Sequence, residues 1–183
     1  MLSKNFGGNK WSRLVIGWEK MSTLSRIFFG RKEYRIDPKG RIPLSAEYYD
    51  NLDLKECGSV VIAPSLSETD RYLEIFSMKE WNGKMEIIDL MPDDDEKEWI
   101  INNYVSAAIS VDLDNQNRIR IPKSLLDYAG IEKDVVFVGA IKTLRLWSKS
   151  KLGETEKSNN ISINSVRDKI NQARKLHDER GDK

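Results

Sequence analysis

The sequence predicts a mostly β fold with short helices (α+β), built from two tandem copies of one unit packed as a single body, with further helical segments. One observation is a turn that occurs twice: Asp37-Pro38-Lys39-Gly40-Arg41, and 77 positions later Asp114-Asn115-Gln116-Asn117-Arg118. Another is that the segments after each turn correspond. Val60-Val61-Ile62-Ala63 matches Val135-Val136-Phe137-Val138, and Tyr72–Ser77 matches Thr143–Ser148. The last is size. A strand–turn–strand–helix–strand–strand unit this small cannot bury both faces of its sheet alone, so two copies must share a core.

Each turn lies between short alternating apolar segments, the pattern of a β-hairpin tip. Asp37 suits the first position of a type I turn, Pro38 the second, and Gly40 a fourth position with positive φ. Asn117 takes the place of that glycine in the second copy, as the side-chain-bearing residue that best tolerates the left-handed conformation. Before the first turn Tyr34 and Ile36 alternate with Glu33, Arg35 and Asp37; after it come Arg41, Ile42, Pro43 and Leu44. Pro43 cannot donate to a ladder, so this strand lies at an edge or stops there. Ser45 reads as the N-cap of a short helix over 46–52 that turns Tyr48, Tyr49 and Leu52 inward. Strands are expected at 59–63 and 72–76, joined by a polar loop over 64–70 that accounts for the greater length of the first copy.

Ser77 reads as the cap of a helix carrying Trp81, Met85 and Ile88, in which Gly83 costs about 1 kcal/mol. Pro92 and the run Asp93-Asp94-Asp95-Glu96 then open a helix carrying Trp99, Ile100, Tyr104 and Val105. Carboxylates in a first turn complement the positive end of the helix dipole, which explains the run structurally. No histidine, cysteine or calcium-loop spacing turns it into a metal site.

The second copy has the cleaner strand pattern. Ile109, Val111 and Leu113 alternate with Ser110, Asp112 and Asp114, and beyond the turn Arg118 and Arg120 alternate with Ile119 and Ile121. A period of two places the aliphatic side chains on one face and both arginines on the other. Pro122 ends the strand, a short helix over 124–129 is closed by Gly130, and strands follow at 135–139 and 143–148. Residues 149–160 read as a polar linker. A final helix from Ser162 or Asn164 carries an apolar stripe of Ile163, Val166, Ile170 and Ala173, expected to dock on the chain's own core. Residues 1–24 read as a flexible extension.

At 183 residues and 39% apolar composition the chain is long enough to bury a core. The single cysteine, Cys57, excludes an internal disulfide and disfavours a cysteine-based zinc site. No apolar run approaches the length of a membrane span, and a cytoplasmic location is expected. The net charge of +1 conceals an uneven distribution: ten basic residues against three acidic ones between Lys4 and Arg41. Such a segment suits a polyanion. An enzyme is not expected. His177 is the only histidine and lies in the polar tail, and no phosphate loop, nucleophile elbow or metal cluster is present. No cofactor and no small-molecule substrate are called for.

The duplicated motif resembles the MraZ family of bacterial transcriptional regulators, within the SpoVT-AbrB superfamily. The residues that carry the resemblance are Phe29-Gly30, Ile36–Arg41, Ala107–Pro122, Tyr128-Ala129-Gly130-Ile131, Val138-Gly139 and Leu146-Trp147-Ser148. It extends over roughly residues 25–152, in the family's order and with both copies. Two departures stand out: Asn117 where glycine is usual, and an early proline at Pro43 with Ser45 where the family's proline falls. The resemblance implies paired units of swapped-hairpin type, a ring-like homo-oligomer, and binding to tandem repeats in double-stranded DNA at the promoter of the division and cell-wall gene cluster, with nucleoid association. It divides the chain into an extension (1–24), a first unit (30–79), a helical connector (80–105), a second unit (106–150) and a linker with a C-terminal helix (151–183).

In that family the arginines of the Asp-x-x-x-Arg motif contact DNA, which maps the contact onto Arg41 and Arg118. Lys39, Lys32, Arg35 and Arg120 are expected to add phosphate contacts along the same surface, and Asp37, Gly40, Asp114 and Asn117 to form the turns or orient the arginines. Two other classes remain beside this one. An AbrB-like antitoxin would hold a toxin on its C-terminal tail, and a structural oligomer would bind no nucleic acid.

Overall fold

The computed structural model describes residues 27–67, 69–158 and 160–181. The expected extension over 1–24 lies outside them. The chain divides into two compact units, Met1–Lys149 and Ser150–Lys183.

The first unit is an α+β fold. Its strands are β1 (Arg31–Arg35), β2 (Arg41–Pro43), β3 (Ser59–Pro64), β4 (Leu73–Ser77), β5 (Ile109–Asp112), β6 (Arg118–Arg120), β7 (Asp134–Ala140) and β8 (Thr143–Ser148). Six of them form one antiparallel sheet in the order β1-β7-β8-β4-β3-β5, and β2 with β6 forms a separate two-stranded ribbon. The helices are α1 (Ala46–Asn51), α2 (Leu54–Cys57), α3 (Met78–Asp89), α4 (Asp95–Ile100), continued by a π-helical turn at Ile101–Val105, and α5 (Lys123–Ala129).

Strand pairing corrects the simple hairpin expected around each turn. The turns themselves close, through Asp37 N–H to Arg41 O at 3.0 Å and Asp114 N–H to Arg118 O at 2.9 Å. The strands that flank them then part: β1 pairs with β7, β5 with β3, and β2 with β6. Length supplies the physical reason. β2 stops at Pro43 after three residues, whereas the seven-residue β7 pairs all five residues of β1.

Alternation along the sheet feeds two cores. Val60, Ile62, Leu73, Ile75, Val135, Phe137, Leu144 and Leu146 join Ile42, Ile119, Ile121 and Leu125 in one cluster. Val61, Ala63 and Phe76 point the other way, against Ile88, Tyr104, Trp81 and Met85 of the connecting helices. That second face is closed by a polar group in which the Lys84 ammonium donates to the Tyr104 hydroxyl at 2.7 Å and pairs with Glu74 at 3.4 Å. Burying both faces is why β3 reads as a nearly continuous apolar run.

Several local expectations need adjustment. Ser45 takes the extended N-cap backbone of α1, but its side chain makes no cap bond and instead lies 3.5 Å from the Lys32 ammonium. Ser77 does cap α3, accepting from Glu80 N–H, and Asp94 caps α4, accepting from Lys97 N–H at 3.0 Å. Gly130 closes α5 in the left-handed conformation. The short α2 went unread, because its start at Asp53 depends on a positive φ that sequence pattern does not announce.

The second unit is helical, with α6 (Lys149–Ser158) and α7 (Ile163–Gly181). The expected polar linker over 149–160 is therefore mostly helix. Polarity alone is a poor guide there, since Lys, Glu and Leu are good helix formers and Gly153 costs only about 1 kcal/mol. The stripe of α7 is not buried as expected: Ile163, Val166 and Ile170 are all exposed.

Candidate nucleic-acid interface

The ribbon of β2 and β6 brings the two turns together. Its register sets Ile42 against Ile119, Arg41 against Arg120, and Pro43 against Arg118. Ile42 and Ile119 have no solvent exposure. Since neighbours along a strand point to opposite faces, this seats the ribbon on the core and turns Arg41, Pro43, Arg118 and Arg120 away from it. Each turn is also tied to the other strand of the ribbon. Ile121 N–H donates to Gly40 O at 2.8 Å, and Leu44 N–H donates to Asn117 O at 2.9 Å.

Within each turn the aspartate does two jobs with two oxygens. Asp37 Oδ1 accepts from the backbone N–H of Lys39 and of Arg41, both at 2.9 Å, which closes the turn. Its Oδ2 accepts from Arg41 Nε and Nη2, each at 2.6 Å. Asp114 repeats this arrangement. Oδ1 accepts from Gln116 N–H at 2.9 Å and Arg118 N–H at 3.0 Å, and Oδ2 from Arg118 Nε at 2.8 Å and Nη2 at 2.7 Å. The four side chains of the two pairs are only partly exposed, between 26% and 35%. The Arg118 guanidinium, with the Gln116 and Arg118 amides behind it, holds the Asp114 carboxyl down at about 2. The Arg41 backbone amide, then the Arg41 side chain and the Lys39 amide, lower Asp37 in the same way.

A guanidinium braced through Nε and one Nη keeps its remaining N–H groups for a ligand, in an orientation already fixed. The brace also needs a left-handed residue just before each arginine: Gly40 at φ 76° and Asn117 at φ 55°. Their surroundings differ. A Cβ on Gly40 would lie 2.7 Å from Ile121 O, so that site admits only glycine, whereas Asn117 is exposed.

The remaining expected residues separate into two places. Lys39 and Arg120 are exposed at the ribbon. Lys32 and Arg35 lie on β1 in the large sheet, on alternate faces of the strand. Lys32 pairs with Glu47 at 2.5 Å and sits over the Tyr48 ring, and Arg35 Nε lies 3.1 Å from Asp134. Sequence reasoning did not single out Lys123, which lines a depression beside Lys39 and Arg120. It also missed the exchange of strands between copies, which local periodicity cannot reveal. Among the described residues no cluster of histidine, cysteine and carboxylate side chains could hold a metal ion, and no helix is long and apolar enough to cross a membrane.

Comparison with known proteins bears directly on this duplicated, arginine-tipped α+β fold. Residues 105–168 match the sequence model of a family described as "MraZ protein, putative antitoxin-like". A protein named transcriptional regulator MraZ from Clostridium beijerinckii is 34% identical over 148 residues, covering 79% of this chain and 97% of the relative. Proteins of the same name from Dictyoglomus turgidum, at 33% identity over 69% of this chain and 94% of the relative, and Caldanaerobacter subterraneus, at 30% over 76% and 94%, are similar over nearly their whole length. The chain belongs to the MraZ family of transcriptional regulators.

Proposed function

We propose that the protein is a sequence-specific DNA-binding regulator that acts on tandem promoter repeats of the division and cell-wall gene cluster, as a ring-like homo-oligomer in the cytoplasm and at the nucleoid. The observation that carries this reading is the pair of aspartate-braced arginines, Arg41 and Arg118, on the core-distant face of one ribbon. A surface ion pair by itself is worth about 0–1 kcal/mol, too little to explain why the same four-bond brace is made twice. A guanidinium held in place is suited to guanine edges and to phosphates.

Two units, 30–79 and 106–150, make up this body as swapped-hairpin halves related by pseudo-symmetry, with 80–105 as the connector. The exchange of β1 and β5 between the two halves, in matching register, supports that description. One protomer with two such arginines binds weakly. A ring that offers several pairs to consecutive repeats gains through effective concentration, provided the repeat spacing suits it.

Gel-shift titrations with the DNA upstream of the protein's own gene, carrying one to four repeats, test this across a range of salt. Tight, salt-sensitive binding is expected only with several repeats, and the Arg41→Ala/Arg118→Ala variant should lose it. Equal affinity of variant and parent would overturn the assignment, and a monomeric protein in sedimentation would overturn the ring.

A second reading, an AbrB-like antitoxin, draws on the exposed stripe of Ile163, Val166 and Ile170 on α7. Co-purification of a small toxin that is lost in Val166→Asp/Ile170→Asp would favour it.

A further inference from the structure

The two tips are chemically unequal, and the ribbon register turns that inequality into an arrangement. Position 43 corresponds to position 120 by the 77-residue spacing, and the two hold Pro43 and Arg120. In the antiparallel ladder Arg120 therefore faces Arg41, while Arg118 faces Pro43. The tips differ in the same sense, with Lys39 in the first where the second has Gln116.

Beside the first tip lies a depression of about 650 Å³ lined by Lys39, Gly40, Arg120, Ile121, Lys123 and Leu126, among others. Lys123 is occupied by Asp127, both of whose oxygens lie 2.8 Å from its ammonium. Lys39 and Arg120 are exposed and have no acidic partner among the described residues. The second tip shows solvent three consecutive amide side chains, Asn115, Gln116 and Asn117.

We infer that the two tips divide the work on DNA: the first, through Lys39 and Arg120, grips backbone phosphates, and the second, through Asn115 and Gln116, reads base edges. This rests on the DNA-binding reading above and extends it. Cations on phosphates supply affinity with little sequence information and release counterions. An amide places a donor beside an acceptor, the pattern that pairs with adenine N7 and N6 in the major groove, and it adds nothing to the electrostatic attraction. Asn117 is excluded from the reading pair because its backbone already sets the turn. Each protomer then meets its DNA element with a fixed polarity, the cationic tip at one end and the amide tip at the other.

Fluorescence anisotropy with the full chain tests the division, using a labelled duplex of the DNA upstream of its own gene and a shuffled duplex of the same composition. Lys39→Gln/Arg120→Ser should weaken binding to both duplexes by a similar factor, tenfold or more. It should also flatten the salt dependence of log K by about two, near 0.9 for each phosphate released. Asn115→Ala/Gln116→Ala should leave the shuffled duplex and the salt slope unchanged while cutting the preference for the upstream duplex by about tenfold. Gln116→Ala alone should show the same pattern at smaller size. The division is overturned if the amide variants keep the full preference, or if the Lys39/Arg120 variant changes the preference and not the slope. Failure of the parent chain to bind either duplex at low salt overturns the DNA reading itself, a result distinct from both.

Discussion

Arg41 stands opposite Arg120 in the β2–β6 ladder. Asp37 neutralises Arg41 at 2.6 Å, but Arg120 has no acidic partner among the described residues. Like charges directly across a strand pair are unfavourable by up to about 1 kcal/mol, so Arg120 costs the fold stability. Arg120→Thr, which keeps a strand-forming residue, should raise the urea midpoint by the equivalent of about 0.5 kcal/mol and weaken DNA binding. A lower midpoint would show that Arg120 supports the ribbon.

The arginine fork is the part of each brace that lysine cannot supply. Arg41→Lys and Arg118→Lys keep the charge but lose one of the two bonds to Oδ2. Each should cost less than about 1 kcal/mol in stability yet reduce affinity for repeat DNA by tenfold or more. Unchanged affinity would reduce the site to simple charge.

Acid should loosen the turns before it unfolds the core. The Asp114 carboxyl is held at about 2, below its ordinary value of 3.8, chiefly by the Arg118 side chain. A carboxylate whose folded value is depressed contributes stability that is complete above its unfolded value and lost as pH falls through the folded one. The loss therefore falls between about pH 4 and pH 2. Urea titrations at pH 2–6 should show a shallower acid decline for Asp114→Asn than for the parent. Parallel curves would remove the brace as a source of that decline.

Gly40 and Asn117 hold equivalent places but should not tolerate the same changes. Gly40→Ala combines a left-handed φ with a Cβ 2.7 Å from Ile121 O. It should cost on the order of 2 kcal/mol or more. Asn117→Gly relieves the mild strain of a side chain at φ 55°, so it should change stability by no more than about 0.5 kcal/mol. Thermal unfolding of the two variants side by side checks this, and equal losses would contradict the asymmetric packing.

Much of the fold was legible because its signals are local. Period-two alternation placed β5, β6 and β8, Ser77 marked the start of α3, and the Asp-x-x-x-Arg repeat located both turns. Elements whose cause lies elsewhere in the chain were not legible. The positive φ at Asp53 that opens α2, the Ser45 hydroxyl turned to Lys32 instead of its helix, and the helix within an apparent linker belong to this group.

The sequence by itself determined that there are two arginine-bearing turns, that they are copies, and that an aspartate precedes each arginine by four residues. Only the tertiary structure decided which residues those arginines meet. Hydrogen bonding in a ladder takes no account of distance along the chain, so β1 and β5 cross to partners in the opposite copy, and β2 meets β6 in a register that puts Arg120 beside Arg41 and Pro43 beside Arg118. Local periodicity says which face a side chain occupies. It cannot say what stands across from it, because that is set by how the two copies bury Ile42 and Ile119 against one core.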